Sequence, residues 1–202
     1  MSLSQGRYKW RHDQVLREVA KYTDARREFY NSNPKPLKTK EIRFVKKGEK
    51  TTDNETENRC YLDSASDWRL IVDLDGRLNV PEEVAVTNMR PDMLLISDQT
   101  KKVGIVELTV PGEERIEVSG ELKRTKYAGL QEERRKNGWL VQIWAIEIGC
   151  RGFPAASMAI FLKEIGINGN ERRRTFNRLG EIAENASRAI WRWSHFKSWG
   201  SS

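Results

Sequence analysis

Residues 90–110 read RPDMLLISDQTKKVGIVELTV. The stretch predicts two short strands, at about 92–97 and 103–110, joined by a polar turn. In VGIVELTV, period-two alternation puts Ile105, Glu107 and Thr109 on one face and Val106, Leu108 and Val110 on the other. A glutamate centred in so apolar a strand is costly to desolvate unless a cation or a strong donor compensates it. Asp92 opens the first strand directly after Pro91, in a dipeptide context that favours extended backbone. A hairpin of these strands would bring Asp92 and Glu107 to one end of a sheet. Two convergent carboxylates on rigid strands make a divalent-metal site of the kind that cuts phosphodiesters.

The flanks supply the rest of the sheet. WRLIVDLD (68–75) reads as a strand stopped by Gly76, and Pro111-Gly112 ends the Glu107 strand. Residues 113–136 are helical in character, weakened at Ser119-Gly120, and Asn137-Gly138 is a stop. Residues 139–148 read as a buried strand, and helices follow at about 154–165 and 170–195 around the turn GINGN. Near the start, His12, Val15, Leu16 and Val19 mark one face of a helix over 8–30. Residues 31–63 form a polar connection with Pro34 and Pro36, holding one short strand at 41–46, and its length marks it as mobile or functional. The order is helix, three strands, helix, strand, then two appended helices. That is an α/β chain with a central mixed sheet, since a helix between strands carries a crossover.

Composition narrows the chemistry. The 202 residues suit one domain: a core at about 8–150 and a helical extension at about 154–196. Net charge is +7, and residues 7–48 hold thirteen Lys/Arg against five Asp/Glu. Arg172, Arg173, Arg174 and Arg178 form a second basic cluster. Such runs are either solvated faces or the electrostatic footprint of a nucleic-acid backbone, and the carboxylate pair favours the footprint. Cys60 and Cys150 have no zinc-ligand spacing, and a reducing, intracellular setting is expected. With His12 and His195 the only histidines, His-rich metal sites and histidine-centred hydrolase triads are disfavoured. No signal peptide or long apolar run is present, so no membrane insertion is expected.

The strand order is that of the PD-(D/E)XK restriction-endonuclease-like core. The usual lysine two residues after the acid is missing, because Thr109 stands there. The substitute lies on the next helix, in KRTKY (123–127). A helical projection sets its apolar arc by Ile116, Val118, Leu122, Tyr127 and Leu130, with Lys123 and Lys126 inside it. Lysines so placed either snorkel outward or point at something anionic. With these residues the chain resembles the restriction-like endonuclease domain near the C-terminal end of reverse-transcriptase polyproteins of non-LTR retrotransposons. Arg11-His12-Asp13 matches that family's Arg/Lys-His-Asp triplet. Arg90-Pro91-Asp92, with Glu107 after an interval of fourteen residues, matches its paired acids. Lys123, Lys126 and Tyr127 match its displaced Lys-x-x-Lys-Tyr, and the likeness covers roughly residues 7–199, weakest across 31–63.

The resemblance implies an Mg²⁺-dependent endodeoxyribonuclease, with Mn²⁺ able to substitute, that nicks duplex target DNA so that the freed 3′ end primes reverse transcription. Asp92 and Glu107 would hold the metal, with Asp13 as an outer carboxylate or else a surface acid paired with Arg17. Lys123 would orient water or offset charge, and Tyr127 would fix the lysine or contact phosphate. Arg11, His12, Lys126, Arg90 and Arg151 are the candidate DNA contacts. His12 could instead be a satisfied core histidine, and Arg151 could merely satisfy a carbonyl. Glu147 is either an extra metal carboxylate or a residue at an edge-strand or rim position. Trp191, Trp193, Phe196 and Trp199 are expected to pack the last helix onto the core. The implied partners are DNA and the reverse-transcriptase domain of the same polyprotein, with action in the nucleus, and the chain reads as a piece of a longer protein. Two other readings stand beside this one: a non-catalytic nucleic-acid-binding module with a vestigial site, and a cellular structure-specific nuclease.

Overall fold

Alternation and burial build a four-stranded sheet clad on both faces. The computed structural model describes residues 3–33, 60–74, 76–82, 84, 90–123, 125 and 138–194. Helix α1 is Leu3–Ser32, strand β1 Arg69–Val72, β2 Met93–Ser97 and β3 Lys102–Thr109. Helix α2 covers 116–123 after a 3-10 turn at Glu113–Arg115. Strand β4 is Leu140–Glu147, α3 Ala156–Glu164 and α4 Gly169–Ser194. The sheet order is β1-β2-β3-β4. The β1–β2 and β2–β3 pairs are antiparallel, while β3 and β4 run parallel, which obliges the chain between them to cross over. The result is an α/β fold with an open mixed sheet and the expected element order among the described residues.

The predicted alternation of β3 divides two cores. Met93, Leu95, Val106, Leu108, Trp144 and Ile146 join Val15, Leu16 and Val19 of α1, Phe161 of α3 and Leu179 of α4. On the opposite face, Leu94, Ile96, Val103 and Ile105 meet Val80, Val84 and Trp139. The Trp144 ring lies over Gly104, where an added Cβ would come within 2.6 Å of it. Helices α1 and α4 run antiparallel, stitched by Glu18–Arg178 (3.6 Å), Arg26–Glu171 and the edge-on pair Trp10–Trp193 (4.8 Å). No helix among the described residues is long and apolar enough to cross a membrane.

Several expectations need correction. Strand β1 stops at Val72 and not Asp75, because the Asp73 carboxylate accepts the amides of Gly76 (2.6 Å), Arg77 (3.0 Å) and Leu78 (3.0 Å), closing a turn. Helix α1 begins before residue 8, at Leu3. The end of the expected polar connection is docked: Tyr61–Ser64 is a 3-10 turn, with Leu62 buried and its carbonyl accepting the Trp68 indole N–H at 2.9 Å. The strand expected at 41–46 lies outside the described residues. The projected apolar arc of α2 fails at two of its members, while Ile116 is half-buried and Tyr127 and Leu130 lie outside the described residues. Val118 and Leu122 (68% exposed) face solvent, and the helix turns Gly120 and Lys123 inward instead. Trp193 packs as expected, whereas Trp191 is 67% exposed; Phe196, Trp199 and His195 lie outside the described residues.

Candidate functional site

Strand register places the acids. Met93 is paired with Val106, so one further step sets Asp92 opposite Glu107, where β2 begins and β3 nears its end. The Asp92 carboxylate accepts the Leu108 amide at 2.7 Å, and its carbonyl accepts the Asp73 amide at 2.8 Å. Both bonds fix the acid against the sheet end. Glu107 is 1% exposed, and the Lys123 ammonium reaches its Oε2 as an ion pair from the inward side of α2. The small Ser119-Gly120 pair, expected as a weak point, lies one turn before Lys123 within continuous helix, with Gly120 buried. Lys126 and Tyr127 lie outside the described residues.

Helix α1 supplies the other wall. His12 stands between two carboxylates, Nε2 at 3.3 Å from Asp92 Oδ2 and Nδ1 at 3.2 Å from Asp13 Oδ1. Burial opposes its charge, but the hydrogen bonds and charges of Asp92 and then Asp13 prevail, so its pKa is raised above the ordinary 6.5. Asp13 therefore stands one imidazole away from Asp92. Its other oxygen takes the Lys9 ammonium at 2.7 Å, so Lys9 is the partner in place of Arg17, which one of the two readings of Asp13 had offered. Lys9 is fixed in that place because it also donates to the Leu74 carbonyl, beyond the end of β1. Arg11 donates to the Val110 carbonyl (2.7 Å) and the Ser187 hydroxyl (3.2 Å), with its guanidinium 5.4 Å from the Tyr8 ring centre. It thus ties the end of β3 to α4 while bordering the site.

These walls enclose a concavity of ≈ 390 Å³ lined by Tyr8, Lys9, Arg11, His12, Leu108, Thr109, Val110 and Lys123. Lys9, Arg11 and Lys123 make its lining cationic; Asp92 and Glu107 do not line it but bond to the Leu108 amide and the Lys123 ammonium, which do. The Thr109 hydroxyl is buried and has no hydrogen-bond partner among the described residues. Lys9 and Tyr8 were not singled out from sequence, although the i, i+4 spacing of Lys9 and Asp13 was a usable signal.

The remaining candidates sit elsewhere. Arg90 donates to the Gly76 carbonyl at 2.6 Å. Arg151 has its Nε 3.7 Å from Glu113 Oε2 on a side chain 80% exposed, so it satisfies no carbonyl through that group and does not line the concavity. Glu147 lies on β4, an edge strand of the sheet as one of its two readings expected, but its side chain is buried and receives the Ser157 hydroxyl at the start of α3.

A divalent ion is testable against this donor set. Among the described residues no three His, Cys, Asp or Glu side chains converge on one point. Mg²⁺, however, is commonly held by one or two carboxylates, with water and substrate phosphates completing the shell. Adjacent Asp92 and Glu107 offer hard oxygen donors of that kind, and the unpartnered Thr109 hydroxyl adds a neutral oxygen beside them. The residues fit such an ion. A search of known protein families and of curated proteins finds nothing that matches this chain.

Proposed function

We propose that this chain is a metal-dependent DNA endonuclease domain of the PD-(D/E)XK kind, nicking target DNA to prime reverse transcription beside a polymerase domain of the same polyprotein in the nucleus. The observation that carries the nuclease reading is the set Asp92, Glu107 and Lys123: two acids opposed at a sheet end, with a helix-borne cation on one of them. An ion held by Asp92 and Glu107 would polarise the scissile phosphate and acidify the attacking water. The chain's own groups do the rest. Leu108 N–H fixes one oxygen of Asp92, leaving the carboxylate a defined orientation. Lys123 is placed to steady charge building on the phosphoryl oxygens, and Lys9 and Arg11 make the walls attractive to a polyanion. The priming role rests on the resemblance alone.

The direct test is nicking of supercoiled plasmid with and without Mg²⁺. Wild type should convert it to open circles only with the metal. Asp92→Ala should lose that conversion while retaining duplex affinity. Equal nicking by both proteins would sink the mechanism. One observation favours the alternative of a binding module without cleavage: Glu107 is almost fully buried and already paired with Lys123. On that reading both proteins bind DNA and neither cuts it.

A further inference from the structure

The cationic lining of the concavity continues out of it along α1. Lys9, which lines the concavity, is followed at intervals of four by Asp13, Arg17 and Lys21, so these residues stand in one stripe on the helix. The acids within reach of that stripe are already taken: Asp13 by Lys9, Asp24 by Arg27, and Glu18 by Arg178 of α4. Arg17 and Lys21 are exposed and have no ion pair or side-chain hydrogen bond among the described residues. The Glu18–Arg178 pair, at 3.6 Å, and the Arg26–Glu171 pair set the first turns of α4 beside this part of α1. Arg174 stands one turn before Arg178, exposed and equally without a partner among the described residues. Like charges four apart on a helix repel, so the fold gains nothing by setting Arg17 beside Lys21. An anion laid across them would turn that repulsion into attraction.

We infer that Arg17 and Lys21, joined by Arg174 from α4, form a phosphate track that holds duplex DNA where it leaves the concavity along α1. A helix rises about 1.5 Å per residue, so Lys9 and Lys21 stand about 18 Å apart, roughly five base-pair steps of a duplex. A charge stripe of that length is too long for one compact anion and suits a backbone of regularly spaced phosphates. Contacts of this kind position a duplex and carry no sequence preference. The inference rests on reading the concavity as a nucleic-acid site and adds where the substrate lies: a duplex flank of about five base pairs or more, held along α1.

The test uses the full chain carrying Asp92→Ala, so that cleavage cannot distort binding, and measures affinity for a blunt duplex across about 50–200 mM salt. Adding Arg17→Ala and Lys21→Ala together should reduce the slope of log affinity against log salt by about 1–2, since each phosphate contact contributes about 0.9. Exchanging the two residue types, Arg17→Lys with Lys21→Arg, keeps both charges and should keep the slope. An unchanged slope in the alanine pair would overturn the inference. So would an equal reduction from Lys163→Ala with Arg69→Ala, exposed cations on α3 and β1 away from the stripe, which would mean net charge alone. If wild type nicks plasmid while the alanine pair leaves the slope unchanged, the track falls and the nuclease reading stands. If wild type never nicks yet the slope falls with that pair alone, the track stands and the nuclease reading falls.

Discussion

Glu107 is the residue on which the site's energetics turn. A carboxylate at that depth is tolerable only with its charge answered nearby, and Lys123 answers it from α2. Lys123→Ala should therefore destabilise the ion-free protein by roughly 1–3 kcal/mol, a buried-pair cost reduced because the lysine is itself partly exposed. Adding Glu107→Gln should restore much of the loss, because the orphaned charge goes too. Urea unfolding of both single variants and the double variant measures this coupling. His12 gives a second handle. Its folded pKa is raised by Asp92 and Asp13, so the imidazolium contributes stability that is complete below its ordinary 6.5 and fades as pH rises through the higher folded value. The urea midpoint of ion-free wild type should accordingly fall between about pH 6 and 8, and His12→Gln should flatten that fall. A slope unchanged by the substitution would remove the His12 assignment. Glu107 was legible in the sequence because one charge interrupts an apolar alternation. The inward turn of Lys123 was read for a reason that holds only in part: Val118 and Leu122, projected as apolar contacts, stand in solvent, while Gly120 is buried.

At the scale of elements, the clearest example is the contact of α4 with the loop after β4. Glycine inside a helix is ordinarily unfavourable by about 1 kcal/mol relative to alanine. Gly180 reverses that sign, because a Cβ there would lie 2.5 Å from the Gly152 carbonyl oxygen, and Gly152 itself sits at φ +93. Gly180→Ala should destabilise by roughly 1–3 kcal/mol despite its better helix propensity, measured by chemical denaturation. A stabilising result would show that the loop can shift away. Sequence periodicity located β2, β3, β4 and the last two helices to within a few residues, since each has a clear face to bury. It overran β1 because the alternation of WRLIVDLD continues past Asp73, where a side-chain-closed turn takes over. It also read residues up to 63 as a polar connection, because one buried leucine in a 3-10 turn leaves no period to detect.

Across the whole molecule, protection should follow the sheet from its centre outward. Strand β3 is paired on both sides and buried along nearly all its length. The core on the face of Ile105 is smaller than the one under α1 and α4, and Val80 and Val84 close it from a segment without regular structure. Native-state hydrogen exchange should find the β3 amides among the slowest and those of 78–82 opening well before global unfolding. Comparable protection in both would mean that the two faces unfold as one unit.

The antiparallel seam of α1 and α4 has a consequence in time. Its partners Trp10 and Trp193 stand at opposite ends of the described chain, and so do Arg26 and Glu171. At 5–20 residues per second, a ribosome needs on the order of ten seconds or more to make the second partner after the first. Through that interval the first helix must keep Val15, Leu16 and Val19 without the helix that later covers its flank. The same closure holds Arg11 against Ser187, so the wall of the concavity is completed only when the last helix arrives. A chain made only as far as α3 would carry both acids and their lysine and still lack a finished site.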